Sequence, residues 1–162
     1  MPAMTSTAIY DAVHGIFQSM LGTEPKLHSA ERTDQPLKNP GVVAIVGYAG
    51  EHEGTVIFSC GKPLAASLAE LMLMEEDLDP DGEEVDDAMG EIANMVAGQL
   101  KNLVCKTGNE VQLSIPIIIH DGDYRLQVPD GYERWRLTAF HVDGEPFFVE
   151  LVTAGLSVEP CA

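Results

Sequence analysis

Residues 83–106, EEVDDAMGEIANMVAGQLKNLVCK, constrain the fold more than any other stretch, because as a helix they carry two stripes that cannot both face a core. At about 100° per residue, Val85, Ala88, Ile92, Val96, Leu100 and Leu103 fall on one side, and Asp87, Glu91, Asn94, Gly98 and Lys101 fall on the other. The first stripe packs; the second is displayed. Spacings of three and four set Glu91 and Asn94 about one turn apart, so their head groups can serve a single ligand. Gly98 lies one turn beyond Asn94, where a missing side chain lets another surface come close. Glycine is a poor helix former, so its company with a carboxylate and a carboxamide marks this face as the candidate site. A plain solvated polar face is the alternative reading.

The other elements arrange themselves around this helix. From Ser6 to Leu21 the apolar residues Ile9, Val13, Ile16, Phe17 and Met20 keep helical spacing, and Gly22 is the expected stop. Residues 23–40, with prolines at 25, 36 and 40, read as a loop holding a short strand near Leu27–Thr33. VVAIVGYA (42–49) and TVIFSC (55–60), joined by GEHEG, predict a buried hairpin. GKP ends that strand, and Pro63 suits the first turn of a helix reaching about Met74. The acidic run 75–87 is a loop marked by Pro80 and Gly82, and its last carboxylates favour the positive N-terminal end of the next helix.

After Gly108 the chain turns β-rich. Pro116 within VQLSIPIIIH (111–120) has no N–H to give a ladder, so it must sit at an edge or a bulge. YRLQVP (124–129) reads as a short strand, RWRLTAFHV (134–142) alternates, Asp143-Gly144 is a hairpin turn and FFVELVT (147–153) returns. The order α-β-β-α-α-β-β-β-β gives an α+β fold, an antiparallel-rich mixed sheet with helices packed on one face. The 162 residues, 45% hydrophobic and 22% charged, suit one globular domain, 1–162.

A net charge of −17, from 9 basic and 26 acidic residues, argues against nucleic acid and anionic membranes. It leaves small ligands and protein partners with basic features. Cys60, Cys105 and Cys161 are odd in number and far apart, which fits neither a disulfide framework nor a zinc site and suits a reducing cytoplasm. The first residues lack a basic segment followed by an apolar run, so no signal peptide is expected, and no stretch approaches a transmembrane span.

Several motifs read more simply than they first look. Asp77, Asp79, Asp81 and Gly82 match the opening of a calcium loop, but its twelfth position would be Ala88 and Pro80 intrudes at the fourth. The histidines 14, 28, 52, 120 and 141 show no paired metal spacing. His120 beside Asp121 imitates a catalytic dyad without a nucleophile to complete it. Gly47, Gly50 and Gly54 punctuate a hairpin and do not form a dinucleotide loop. Methionines 72, 74, 89 and 95 read as core. No metal or cofactor site is expected in this chain.

Asp87-x3-Glu91-x2-Asn94, followed after 21 residues by Pro116, resembles the signature of the CheC, CheX and FliY phosphatases of bacterial chemotaxis. GEIANMVAGQLKN resembles the same helix in CheX proteins, and VVAIVGYAGEHEGTVIFS their central hairpin. The likeness spans roughly residues 6–155. CheC-type members can carry the Glu-x-x-Asn pair twice; this chain has it once, and residues 6–21 contain no Glu, which favours CheX over CheC.

The resemblance implies hydrolysis of the aspartyl phosphate of a CheY-like response regulator. It assigns the attacking water to Asn94 and assigns docking on the regulator's lysine to Glu91. Gly98 would admit the partner's loops, Asp87 and Lys101 would meet its rim, and Pro116 would shape the strand beside the site. The Mg2+ ion belongs to the receiver, and a homodimer is implied, with strands 134–153 as candidate interface. Two other readings remain: a non-catalytic receiver-binding or flagellar-switch-like adaptor, and a calcium module on residues 77–88.

Overall fold

The computed structural model describes residues 3–38, 40–50, 52–104, 111–120, 126–154 and 157–159. In chain order these form β1 (Ala3–Thr5), α1 (Ser6–Ile16) continuing as a π-helical turn (Phe17–Leu21), β2 (Lys26–Arg32), β3 (Val42–Ala49), β4 (Gly54–Cys60), α2 (Lys62–Leu73) and α3 (Glu83–Val104). There follow β5 (Gln112–Leu113), β6 (Ile117–His120), β7 (Tyr132–Phe140), β8 (Pro146–Ala154) and β9 (Ser157–Glu159). No helix among the described residues is long and apolar enough to cross a membrane.

Seven strands make one antiparallel sheet in the order β2-β7-β8-β4-β3-β5, with β6 also pairing β3. The expected hairpin is β3–β4, inside the sheet, Val42 lying opposite Cys60 and Tyr48 opposite Gly54. β1 and β9 form a separate parallel pair. Sequence patterning does not reveal that pair, because each strand is too short to show a period and they lie far apart in the chain.

The three helices cover one face. Val42, Ala44 and Val46, with Val56, Phe58, Phe147, Val149 and Leu151, project into the same core as Val13, Leu64, Leu68 and α3's apolar stripe. Phe17 stacks on Phe147 with ring centroids 4.6 Å apart, and Phe58 completes the trio. Helix α1 ends where Gly22 takes φ 67 and sends its N–H to the Phe17 carbonyl, a left-handed cap that suits glycine.

The face turned away from the helices is also covered, which the alternating pattern of 134–142 does not suggest. Arg134, Arg136 and Glu150 lie on it and are buried. Arg134 Nε donates to Glu150 Oε2 at 2.7 Å and Arg136 Nη2 to the same oxygen at 3.2 Å. Arg136 also donates to the Gln35 carbonyl in the β2–β3 loop, which ties that loop over the sheet. Charge thus sits where a half-exposed strand would place solvent-facing residues.

Other differences are local. Residues 126–129 are not a strand, and 124–125 lie outside the described residues, as do Cys105, Lys106, Gly108, Asp121 and Cys161. Strands β7 and β8, the candidate dimer interface, are interior: β7 runs between β2 and β8, and β8 between β7 and β4. With both edges paired, neither strand can add to a neighbouring sheet.

Candidate functional site

Helix α3 presents its two stripes as the spacing requires. Val85, Met89, Ile92, Ala93, Val96 and Ala97 are fully buried, with Ala88 and Leu100 nearly so, where α3 crosses β3 and β4 and packs beside α1 and α2. Burying each large apolar side chain contributes about 1.5–3 kcal/mol, so the apolar stripe fixes the helix rotation. Leu103 belongs to the residues whose side chains are not described. On the other stripe Asp87 and Glu91 are exposed, while Asn94, Gly98 and Lys101 are half-buried. Among the described residues, neither Glu91 nor Asn94 spends its side chain on an internal hydrogen bond or ion pair. A Cβ at Gly98 would meet nothing within 4 Å, so this glycine answers no internal packing need and leaves a low spot on the displayed face.

Three contacts set the position of this helix. At its start, His120 Nε2 on β6 donates to Asp86 Oδ1 at 2.5 Å, joining the first turn to the sheet edge. His120 therefore pairs with Asp86, 34 residues away in sequence. Just before the helix, Lys62 Nζ donates to Asp81 Oδ1 at 2.6 Å; this hydrogen bond, and then the lysine's charge, holds the Asp81 carboxyl below its usual range. The third contact is at Gly90, which is buried and faces the strand. A Cβ there would lie 3.4 Å from Pro116 Cβ and 3.8 Å from Ile118 Cδ1.

That contact explains Pro116 structurally. The edge strand is interrupted between β5 and β6, where Ser114 N donates to the Gly47 carbonyl and Gly47 N donates to Ser114 Oγ. Pro116 occupies the interruption, as its missing N–H demands, and its ring rests on α3 one residue before Glu91. Gly90 and His120 are the positioning residues that the sequence pattern misses. The only signal for Gly90 is a glycine on the packed side of a long helix, a costly choice unless another group comes close.

The acidic loop is not arranged as a cation cage. Asp79 Oδ1 accepts from the Asp81 N–H, Asp81 is held by Lys62, and the Asp77 N–H donates to Glu70 Oε2. No group of three or more His, Cys, Asp or Glu among the described residues could hold a metal ion. Of the four methionines read as core, Met89 is buried and Met72 and Met95 pack against the core, but Met74 is 94% exposed. It follows the last residue of α2 in a left-handed conformation that turns it away from the apolar stripe.

Comparison with known proteins agrees with this architecture. The curated CheY-P phosphatase CheX of Thermotoga maritima is 24% identical over 127 residues, spanning 78% of this chain and 82% of that protein. A crystal structure of the chemotaxis protein CheX from Desulfovibrio desulfuricans superposes with a TM-score of 0.78 at 22% identity, covering 91% of this chain and 97% of that one. A CheX–CheY–BeF3–Mg2+ complex from Borrelia burgdorferi gives a TM-score of 0.74 at 23% identity, covering 91% and 96%. The family model described as chemotaxis phosphatase CheX matches residues 42–139, more than half of the sequence and the whole of α3 with the edge strand that supports it. The chain belongs to the CheX family.

Proposed function

We propose that this protein hydrolyses the aspartyl phosphate of a CheY-like receiver domain, with Asn94 orienting the water and Glu91 docking the receiver. The observation that carries the reading is the displayed stripe of α3, where Glu91 and Asn94 stand one turn apart without internal partners among the described residues. The phosphatase name of the Thermotoga relative and the receiver-bound state of the Borrelia relative support it.

An acyl phosphate is already reactive, so the catalyst chiefly has to hold a water in line with the departing carboxylate. The water oxygen attacks phosphorus as the bond to the aspartyl oxygen breaks. The carboxylate leaves with the electron pair, inorganic phosphate forms, and the water's proton passes to phosphate or solvent. A carboxamide offers both a donor and an acceptor, so Asn94 grips the water without titrating. Glu91 pairs with the receiver's active-site lysine, in keeping with the family resemblance, and sets the docking register.

Gly98 admits the partner's loops, Asp87 and Lys101 meet its rim, and the Mg2+ ion is held by the receiver. The reading also places the protein in the cytoplasm as a homodimer; light scattering that gives one chain mass at working concentration would remove the dimer. Phosphate loss from a phosphorylated CheY-like receiver tests the activity. Faster loss in the presence of the protein supports catalysis, and unchanged loss despite measurable binding leaves the non-catalytic adaptor.

A further inference from the structure

A groove of about 590 Å3 opens between the C-terminal half of α2, the segment after Gly22 and the β7–β8 turn, and it includes none of the α3 site residues. Its apolar lining comes from Leu71, Met74 and Val142, all exposed, with Met74 at 94%. Three carboxylates, Glu70, Glu75 and Glu76, stand around them, and among the described residues no lysine or arginine lines the groove. Asp143 and Glu145, both exposed, follow Val142 in the β7–β8 turn and add negative charge to that turn. His141 is buried in the wall, and among the described residues its Nδ1 has no hydrogen-bond partner, with the Asp143 carboxylate 3.4 Å away.

Met74 shows that this lip is more than an unfilled corner. It caps α2 at φ 55, ψ 39, with its N–H on the Glu70 carbonyl. Left-handed caps of this kind ordinarily carry glycine or asparagine, because an L side chain there costs energy. Here the chain accepts the strain and holds an unbranched thioether almost fully in water, at a second cost. Methionine is the apolar side chain that best adapts to varied partners. Strained backbone and displayed apolar surface at one point are the marks of a contact site.

We infer that this groove docks a cationic amphipathic segment of a partner protein, its apolar residues on Leu71, Met74 and Val142 and its lysines or arginines on the acidic rim. Charge decides the occupant. A second copy of this chain, with 9 basic residues against 26 acidic ones, has few cations to set against this rim, so a homodimer is better served by another face. A basic helix gains from the same field, which also speeds its approach. Part of the chain's net charge of −17 thereby acquires a purpose that docking on an acidic receiver site does not supply.

The test uses the full chain and a fluorescein-labelled helical peptide of leucine and lysine, with a twin whose leucines are serine. The expected result is saturable binding of the first peptide, at least about tenfold tighter than its twin, a gap of about 1.4 kcal/mol. Met74→Gly and Val142→Ser should each weaken binding severalfold and close most of that gap. Met74→Gly should meanwhile keep or raise the melting temperature, because glycine relaxes the cap. This opposite movement of stability and affinity is not expected of a residue with a structural role alone.

In methyl NMR the Met74 ε-methyl signal should shift on titration. Equal binding of both peptides, or unchanged affinity in both variants, would mean that surface charge alone acts and would overturn the inference. A Met74→Gly protein that melts several degrees lower would overturn its premise, and a change of oligomeric state in that variant would hand the groove to a second copy.

Discussion

Replacing Gly90 separates two effects that the structure sets against each other. Its Cα lies on the packed side of α3, and an added Cβ would stand 3.4 and 3.5 Å from the Cβ and Cγ of Pro116. Alanine in a helix interior is favoured over glycine by about 1 kcal/mol. The new contact is at the near edge of the range where carbon pairs attract, about 3.5–4.0 Å, so Pro116 has to give by only a few tenths of an ångström. Gly90→Ala should therefore be neutral or more stable by up to about 1 kcal/mol.

Gly90→Leu has no such room. Overpacking of a filled seam costs about 1–3 kcal/mol, or the helix lifts from the edge strand and carries Glu91 and Asn94 with it. A displacement of about 1 Å at reacting groups can cost about 100-fold in rate. Urea unfolding reads the first effect, and receiver dephosphorylation reads the second. The alanine variant should keep its activity while the leucine variant loses stability and activity together. Pro116→Ala should restore part of both, with a coupling above about 0.5 kcal/mol. A leucine variant as stable and active as wild type would show that Gly90 and Pro116 do not set the height of α3.

Two further outcomes follow from burial. Glu150→Ala leaves the buried Arg134 and Arg136 without their shared carboxylate, and thermal unfolding should show a loss of about 3–5 kcal/mol, whereas converting all three residues to apolar side chains of similar volume should recover most of it; a single variant within 1 kcal/mol of wild type, taking about 3 as the least expected cost, would contradict this. Burial, reinforced by Asp143 and Glu145, pushes the Cys60 thiol far above its ordinary range, so in a Cys105→Ser/Cys161→Ser chain a maleimide should label Cys60 only as fast as the protein opens. Rapid labelling under native conditions would show that the β4 end is not sealed.

The residues that declare themselves in sequence do so through period and through backbone chemistry. The two stripes of α3 are legible because a long helix repeats its pattern often enough to fix its rotation. Pro116 at a strand interruption and Gly144 in a hairpin turn are legible because one backbone property dictates their place. What stays hidden depends on partners distant in the chain. Arg134 and Arg136 alternate with apolar residues like a solvated face, yet they are buried because Glu150 lies on the neighbouring strand. His120 looks toward Asp121 in sequence and pairs with Asp86 in space. Met74 keeps helical spacing with the core residues of α2, but the cap after Leu73 swings it outward. At the candidate site the pair Glu91 and Asn94 is visible beforehand, whereas Gly90, which seats the helix beneath it, emerges only from the contact with Pro116.

Whether Asn94 holds the attacking water is read by single-turnover loss of labelled phosphate from a CheY-like receiver, with wild type and with Asn94→Ala, alongside the binding affinity of each. Wild type should accelerate the loss, and the variant should bind the phosphorylated receiver as well while losing about 100-fold or more of the acceleration. Full activity in Asn94→Ala, or no acceleration by wild type at saturating receiver binding, would contradict catalysis through Asn94.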